Sequence, residues 1–138
     1  VAGERFGVRN SGCTAVIEGS GDHTCEYMTG GSVVVLGNTG NNFGAGMTGG
    51  LAFVYDKNKS FKNKINGQSI EISNLLNKDY SKHQDYLFKL LKSYYKKTNS
   101  INAKNIIDNY KEEIKNFMMV KPKASNYKDL LNLLTKVA

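Results

Sequence analysis

Three side chains that can serve as nucleophile, acid or base lie close together early in the chain: Asp22, His23 and Cys25. A cysteine nucleophile needs a base within reach and a further residue that orients that base. A turn would set the geometry between His23 and Cys25, and no orienting residue is evident. We therefore predict no catalytic, cofactor-binding or metal-binding residue in this sequence. His23 could equally hydrogen-bond a neighbouring domain.

A glycine-rich segment, Gly44-Ala45-Gly46-Met47-Thr48-Gly49, matches the GxGxxG fingerprint of dinucleotide sites. In those sites the motif follows a strand and opens a helix, whose N-terminus binds the pyrophosphate. Here Gly50 leads instead into the apolar, strand-like run Leu51 to Tyr55. We therefore expect these glycines to serve a structural repeat and predict no nucleotide site.

The other candidate side chains point to ordinary structural roles. His83 stands among polar residues near the start of a predicted helix, where a solvated face is expected. Glu112 and Glu113 have no partner carboxylate at a spacing that suggests acid–base catalysis. Cys13 and Cys25 form no metal-ligand pattern, so we expect two buried, reduced thiols.

The net charge of +7 is unevenly distributed. Residues 1–56 carry two basic and five acidic side chains, a net of −3, whereas residues 57–138 carry 17 lysines and seven acidic side chains, a net of +10. Nucleic-acid grooves usually combine arginine and aromatic side chains, and this segment has no arginine. We predict no nucleic-acid partner. An apolar run long enough to span a membrane and an export leader are both lacking, so a cytoplasmic location is expected.

A sequence repeat organises the glycine-rich part. Met28-Thr29-Gly30-Gly31 recurs as Met47-Thr48-Gly49-Gly50, a shift of 19 positions, and an apolar run follows each copy. Recurrent glycine at one corner indicates positive φ or a crowded backbone. The predicted structural turn glycines form two columns, the first with Gly12, Gly31 and Gly50 and the second with Gly21 and Gly40.

A repeat of this length cannot hold a strand, a helix and two turns, which excludes helical solenoids. Short β-branched runs bounded by glycine favour strands that pair with their copies in the next coil, about 4.8 Å away. The sequence therefore predicts a mainly β fold over residues 1–72, a right-handed parallel β-helix with one coil per repeat. Ile70 to Ile72 would belong to a fourth coil, after an exposed loop from Lys57 to Gly67.

Residues 73–138 are predicted to form an α-helical tail. Apolar residues recur at helical spacing, which indicates packing surfaces. Ser100 and Ser125 are the predicted N-caps of a second and a third helix. The three apolar stripes are Leu87, Leu90, Leu91 and Tyr94; then Ala103, Ile106, Ile107, Tyr110, Ile114 and Phe117; then Tyr127, Leu130, Leu131 and Leu134.

Several segments resemble the C-terminal domain of the glutamate synthase large subunit. The segments are Ala2–Phe6, Val8–Gly12, Glu18–Gly19, Gly21–His23, Cys25–Gly31, Val33–Gly37 and Asn42–Gly50, with looser similarity at Thr98–Ala103 and Phe117–Lys123. The resemblance covers nearly the whole chain and is most specific before Lys57. It implies a GXGXG-motif domain that is a right-handed β-helix and supports the other domains without supplying catalytic residues.

The resemblance also implies the chemistry of a whole enzyme, an oxidoreductase of ammonia assimilation and glutamate biosynthesis. Glutamate synthase transfers the amide nitrogen of glutamine to 2-oxoglutarate and reduces the product, which gives two glutamates. An amidotransferase domain and a barrel domain with FMN and an iron–sulfur cluster carry this out. In the NADPH-dependent type, expected here, a small partner subunit carries FAD. No family site residue can be placed on this sequence.

Another interpretation is a stand-alone β-helix subunit of a different redox complex, of the formylmethanofuran dehydrogenase type, which has a similar glycine repeat. Sequence preceding Val1 would distinguish the two, because a flavin-barrel domain fused in frame indicates glutamate synthase.

Overall fold

The computed structural model describes residues 11–19, 25, 28–37, 40, 43–57, 61, 65, 70–76, 78–123 and 125–136. Within these ranges five strands form one sheet and four α-helices follow in the second half of the chain. The strands are β1 (Ser11–Ile17), β2 (Thr29–Val35), β3 (Gly49–Tyr55), β4 (Ile70–Asn74) and β5 (Phe117–Pro122). The helices are α1 (Ser81–Thr98), α2 (Ile101–Asp108), α3 (Tyr110–Glu113) and α4 (Tyr127–Lys136).

The strand order is β1-β2-β3-β5-β4. The pairs β1–β2 and β2–β3 are parallel, and Val34 lies opposite Phe53 and Val35 opposite Val54, which is the offset of the sequence repeat. The repeat therefore predicted this parallel pairing correctly. The described sheet is open, however, and helices join it, so the fold is mixed α/β. The predicted strands and the predicted helices are both present, but they share one sheet instead of forming a β unit with a separate tail, and these residues do not show a β-helix coil.

The register of β1 differs by one position from the alignment that the repeat gives. That alignment places Val16 opposite Val35, whereas the structure pairs Val16 with Val34. The register shifts between Ser11 and Thr14, where β1 carries one residue more than β2. Such a β-bulge absorbs an extra residue and keeps each side chain on its proper face of the sheet.

The prediction of a fourth coil was wrong. Ile72 pairs with Val120 of β5, and Val120 also pairs with Ala52 of β3, both in antiparallel register. β5 therefore lies between β3 and β4. Its residues were predicted to end a helix, but the run is apolar on both faces, which suits a strand buried in the middle of a sheet.

Each face of the sheet buries its own apolar cluster. The helices cover one face, and the connections between the parallel strands cover the other. The helix-side cluster includes Val34, Phe53, Phe117, Met119, Leu87, Leu91, Ala103 and Ile106. The connection-side cluster includes Val33, Val35, Val54, Val120, Cys25, Met28, Phe43, Met47 and Phe61.

The helical stripes pack as predicted, with two corrections at their ends. The Ser100 hydroxyl accepts a hydrogen bond from the Ala103 amide at 3.2 Å and caps α2, which confirms that prediction. α2 ends at Asp108, and the chain is extended at Phe117. The cap of α4 is Asn126 and not Ser125, because the Asn126 Oδ1 accepts from the Lys128 amide at 2.8 Å.

No helix in the ranges given above is long and apolar enough to cross a membrane. The longest, α1, has 18 residues, and lysines occur along it.

The glycine columns have a conformational basis. Gly31 (φ 79°) in β2 and Gly50 (φ 83°) in β3 have positive φ, which is one of the two backbone conditions that a recurrent glycine indicates. Gly12 lies in β1 within the segment where the register shifts. Gly40 is half-buried in the connection between β2 and β3, and Gly21 lies outside the described residues.

A further left-handed pair has the same separation in sequence as Gly31 and Gly50: Cys25 (φ 61°) and Gly44 (φ 73°). Positive φ therefore recurs at corresponding positions of the two successive connections.

Gly50→Ala should lower the free energy of unfolding by at least about 2 kcal/mol, because alanine resists positive φ. Its Cβ would also lie 2.5 Å from the Met28 Cε and 2.9 Å from the Gly30 carbonyl oxygen. Gly49→Ala is the matched control in the same strand and should cost less than about 1 kcal/mol. Urea unfolding of both variants measures the difference, and equal midpoints would contradict the argument.

Candidate functional site

The structure places one of the three early candidate side chains. Cys25 is fully buried in the connection-side cluster, and burial raises the pKa of its thiol to about 12. The thiolate is the nucleophilic form of cysteine, so a thiol in this environment is a poor nucleophile. Asp22 and His23 lie outside the described residues, as do Glu4, Arg5 and Arg9.

The GxGxxG segment has the context that the sequence predicted. Gly49 begins β3, so a strand and not a helix follows the motif. Gly44 and Gly46 have positive φ. Met47, which lies between these glycines and β3, is buried in the connection-side cluster. A Cβ on Gly44 would lie 2.9 Å from the Ile70 side chain. These glycines therefore fit a tight turn that packs against β4.

A group of polar side chains lies where β4, β5, α1 and α4 meet. A cavity of about 470 Å³ opens there. The sequence did not predict this group, because its members come from two stretches, residues 71–83 and 121–128, that are far apart in the chain. The lining residues are Glu71, Ser73, Asp79, Tyr80, His83, Lys121, Ser125, Asn126, Tyr127 and Lys128.

The Lys121 ammonium is buried at the centre of this group, with a side chain only 8% exposed. It lies 2.6 Å from a Glu71 carboxylate oxygen and donates to the carbonyls of Pro122 at 3.3 Å and Lys123 at 3.4 Å. It also lies 5.4 Å from the centre of the Tyr127 ring. An ammonium has three donors, so these contacts occupy all of them.

His83 is buried, and the expectation of a solvated polar face was wrong. Its Nε2 lies 2.9 Å from the Tyr127 carbonyl oxygen, and its Nδ1 is buried without a hydrogen-bond partner among the described residues. Burial lowers the pKa of the ring, and the bond to the carbonyl partly offsets that effect. His83 is therefore a neutral side chain that joins α1 to α4.

Tyr127 ties the start of α4 to two strands. Its hydroxyl lies 3.3 Å from the Glu71 carbonyl oxygen and 3.3 Å from the Met119 carbonyl oxygen. Its ring packs edge-on against Tyr80, with ring centres 5.4 Å apart. Burial raises the pKa of the hydroxyl. These groups bind one another, and the arrangement holds α4 in place.

Other candidates also have structural partners. Glu113 accepts a hydrogen bond from the Tyr55 hydroxyl, so it links α3 to the end of β3. The Glu112 carboxylate lies 3.9 Å from the Lys115 ammonium on the surface. Across the described ranges, no group of three or more His, Cys, Asp and Glu side chains could hold a metal ion.

Comparison with known proteins gives the family. The model of the family described as "GXGXG motif" matches residues 1–123. The chain belongs to the GXGXG motif family. This confirms the resemblance to the C-terminal domain of the glutamate synthase large subunit, because the curated relatives of this GXGXG chain are glutamate synthases.

Three of these relatives are similar to nearly the whole of this GXGXG chain. Glutamate synthase [NADPH] large chain of Bacillus subtilis is 47% identical over 94% of it, and ferredoxin-dependent glutamate synthase of Antithamnion sp. is 44% identical over 96%. Glutamate synthase [NADH] of Schizosaccharomyces pombe is 45% identical over 95%. The chain spans only 6–8% of the length of these relatives. The formylmethanofuran dehydrogenase interpretation is not favoured.

Glu71→Gln should cost this GXGXG domain about 1 kcal/mol, because it leaves the buried Lys121 ammonium without its counter-charge. The Lys121 contact lowers the pKa of Glu71, so the stability that the ionised Glu71 carboxylate supplies is fully present above the ordinary carboxyl pKa of 4.5. That contribution disappears as the pH falls below this value. Unfolding midpoints at pH 7 and pH 3.5 test this, and Glu71→Gln should approach the wild type at pH 3.5.

Lys121→Met is the matched control, because it removes the charge but keeps an apolar side chain of similar length. It should change the free energy of unfolding less than Glu71→Gln does. A larger loss of unfolding free energy in Lys121→Met than in Glu71→Gln would show that the ion pair itself supplies net stability.

Cys25 should resist thiol reagents in the folded protein. With a pKa of about 12 and no exposed surface, its reactivity at pH 8 should be at least about 10³-fold below that of a free thiol. A Cys13→Ser background leaves Cys25 as the sole thiol, since the chain has two cysteines. Disulfide-exchange labelling before and after denaturation measures the ratio, and rapid native labelling would contradict the burial.

Proposed function

We propose that this chain is a non-catalytic scaffold segment of a glutamate synthase large subunit. The whole enzyme would convert glutamine, 2-oxoglutarate and a reductant into two glutamates. One observation carries the proposal: 94–96% of the chain is similar to a small segment of much longer glutamate synthases. The rest of such an enzyme would supply the catalytic domains.

Similarity to relatives with different reductants supports a role that is independent of the reductant. The names of these relatives specify ferredoxin, NADPH and NADH, yet the identities lie between 44% and 47%. A segment that bound the electron donor would be expected to diverge with it. NADPH dependence, with a small FAD subunit as partner, stays a prediction for this chain.

The polar groups of the chain also support a scaffold. Lys121, Glu71 and Tyr127 contact one another and nearby carbonyls, and Cys25 is buried with a raised pKa. Catalytic groups need to reach substrate, whereas these groups are occupied within the fold. We therefore assign the FMN, the iron–sulfur cluster and the amidotransferase chemistry to other domains of the same enzyme, and assign no nucleic-acid or membrane partner. A cytoplasmic location stays a prediction.

We extend the proposal to the architecture of the intact domain. Three parallel strands recur at a nearly constant spacing in the chain, and the described parts of their connections contain no helix. A right-handed β-helix would continue this arrangement with further coils beside β1. In that arrangement residues 1–72 would contain its last coils, which would end at β3. Residues 73–138 would form the tail that packs against them, with β5 as the shared strand.

A chimera tests the scaffold role. This chain would replace the matching 131-residue segment in the Bacillus subtilis glutamate synthase large chain. Because no contact with a reacting atom is changed, kcat/KM for 2-oxoglutarate should stay within about tenfold of the parent. Flavin and iron content should be unchanged. Deletion of the segment should instead give an enzyme that fails to assemble.

Two variants of the chimera separate scaffold from catalyst. His23→Gln and Cys25→Ala should leave turnover unchanged if neither side chain takes part in the reaction. A chimera that retains its flavin and iron but loses activity by about 10³-fold in either variant would contradict the proposal, because that is the size of a lost acid–base contribution.

A further inference from the structure

We propose that α4 is an acid-releasable helix: the neutral imidazole of His83 fastens it to the rest of the fold, and protonation of that ring favours its release. The inference concerns the mobility of α4 and does not depend on the proposed function. It rests on how α4 is attached and on what surrounds His83.

Apolar and polar contacts both hold α4. Tyr127, Leu130 and Leu131 are buried, and Leu134 packs against the helix-side cluster. Its first turn is fixed by the His83 ring, which binds the Tyr127 carbonyl, and by the Tyr127 hydroxyl, which reaches β4 and β5. A helix of ten residues is not stable alone in water, so α4 depends on these attachments.

The His83 ring makes its bond to α4 in the neutral state. A carbonyl oxygen only accepts hydrogen bonds, so the proton sits on Nε2 and Nδ1 carries a lone pair. Nδ1 is buried without a hydrogen-bond partner among the described residues. A proton added there would create a buried charged donor with no acceptor, which the folded arrangement disfavours.

The charged groups around the cavity do not remove this penalty. β5 contributes the Lys121 ammonium, which would repel a second positive charge, and α4 contributes Lys128. β4 contributes Glu71, whose carboxylate already binds Lys121 at 2.6 Å. Asp79 precedes α1 and also lines the cavity. Burial has the largest effect on the His83 pKa and lowers it, whereas the hydrogen bond with the Tyr127 carbonyl raises it.

Release of α4 is thereby linked to the uptake of one proton. In the attached state the His83 pKa is below its ordinary value of 6.5, whereas in the released state water reaches the ring and restores that value. The attachment is therefore at full strength above pH 6.5 and weakens as the pH falls toward the lower pKa. Each pH unit in that window favours release by at most about tenfold. Glu71 has a lowered pKa and stays ionised there.

Amide hydrogen exchange on the 138-residue chain tests the proposal. Protection factors, which correct for intrinsic exchange, would be compared at pH 7.5 and pH 5.5 for Leu130 to Leu134 in α4 and for Leu87 to Leu91 in α1. The opening constant of α4 should rise by up to about tenfold below pH 6.5, and α1 should stay better protected than α4 at both pH values, because release of α4 leaves α1 in place. Equal protection of the two helices, or no rise in the opening constant of α4, would overturn the proposal.

His83→Gln supplies the control, because a glutamine amide can donate to the Tyr127 carbonyl and does not titrate in this range. The pH dependence of α4 protection should disappear in this variant, and its persistence would overturn the proposal. A second measurement uses the wild type alone: the His83 ring signals should titrate below pH 6.5 by nuclear magnetic resonance. Titration at or above that value would also overturn it.

Discussion

The antiparallel pairing of β5 with β3 is the interaction on which the rest of the structure depends. It runs from Ala52 opposite Val120 to Tyr55 opposite Phe117 and joins segments that are far apart in the chain. Beyond the ladder, the Asp56 amide donates to the Asn116 carbonyl at 2.7 Å. Because β5 also carries β4 on its other side, the C-terminal half of the chain becomes part of the same sheet as the glycine repeat.

This pairing also decides where the helices lie. β5 follows α3 and precedes α4 directly, so both are held beside the sheet once β5 is in place. Polar contacts attach α1 and the start of α2 to the β1–β2 side of the sheet. The Ser32 hydroxyl lies 3.2 Å from the Thr14 hydroxyl and 3.0 Å from the Tyr86 hydroxyl of α1, and Ser100 at the start of α2 donates to the carboxylate of Glu18. Buried polar contacts of this kind favour one arrangement over others that bury the same apolar area. A rigid support for other domains would need that property.

Much of the local structure was predictable from the sequence, because it depends on neighbours in the chain. The glycine repeat predicted the parallel pairing, and Ser100 was identified as a cap. β5 was not predictable in this way. Phe117 to Val120 is apolar at every position and has no period, so it reads equally well as the end of a helix. The polar cavity was missed because His83, Lys121 and Tyr127 are brought together only by tertiary packing.

The bulge in β1 has a consequence for how such a repeat can change during evolution. It allows the offset between paired residues to fall by one while Val16, Val34 and Phe53 stay aligned on one face. A single-residue insertion or deletion near the glycine corner therefore need not reverse the inside and outside of a strand. Repeat length can therefore vary by a residue between successive parallel strands, and a search that demands a strict period will overlook such repeats.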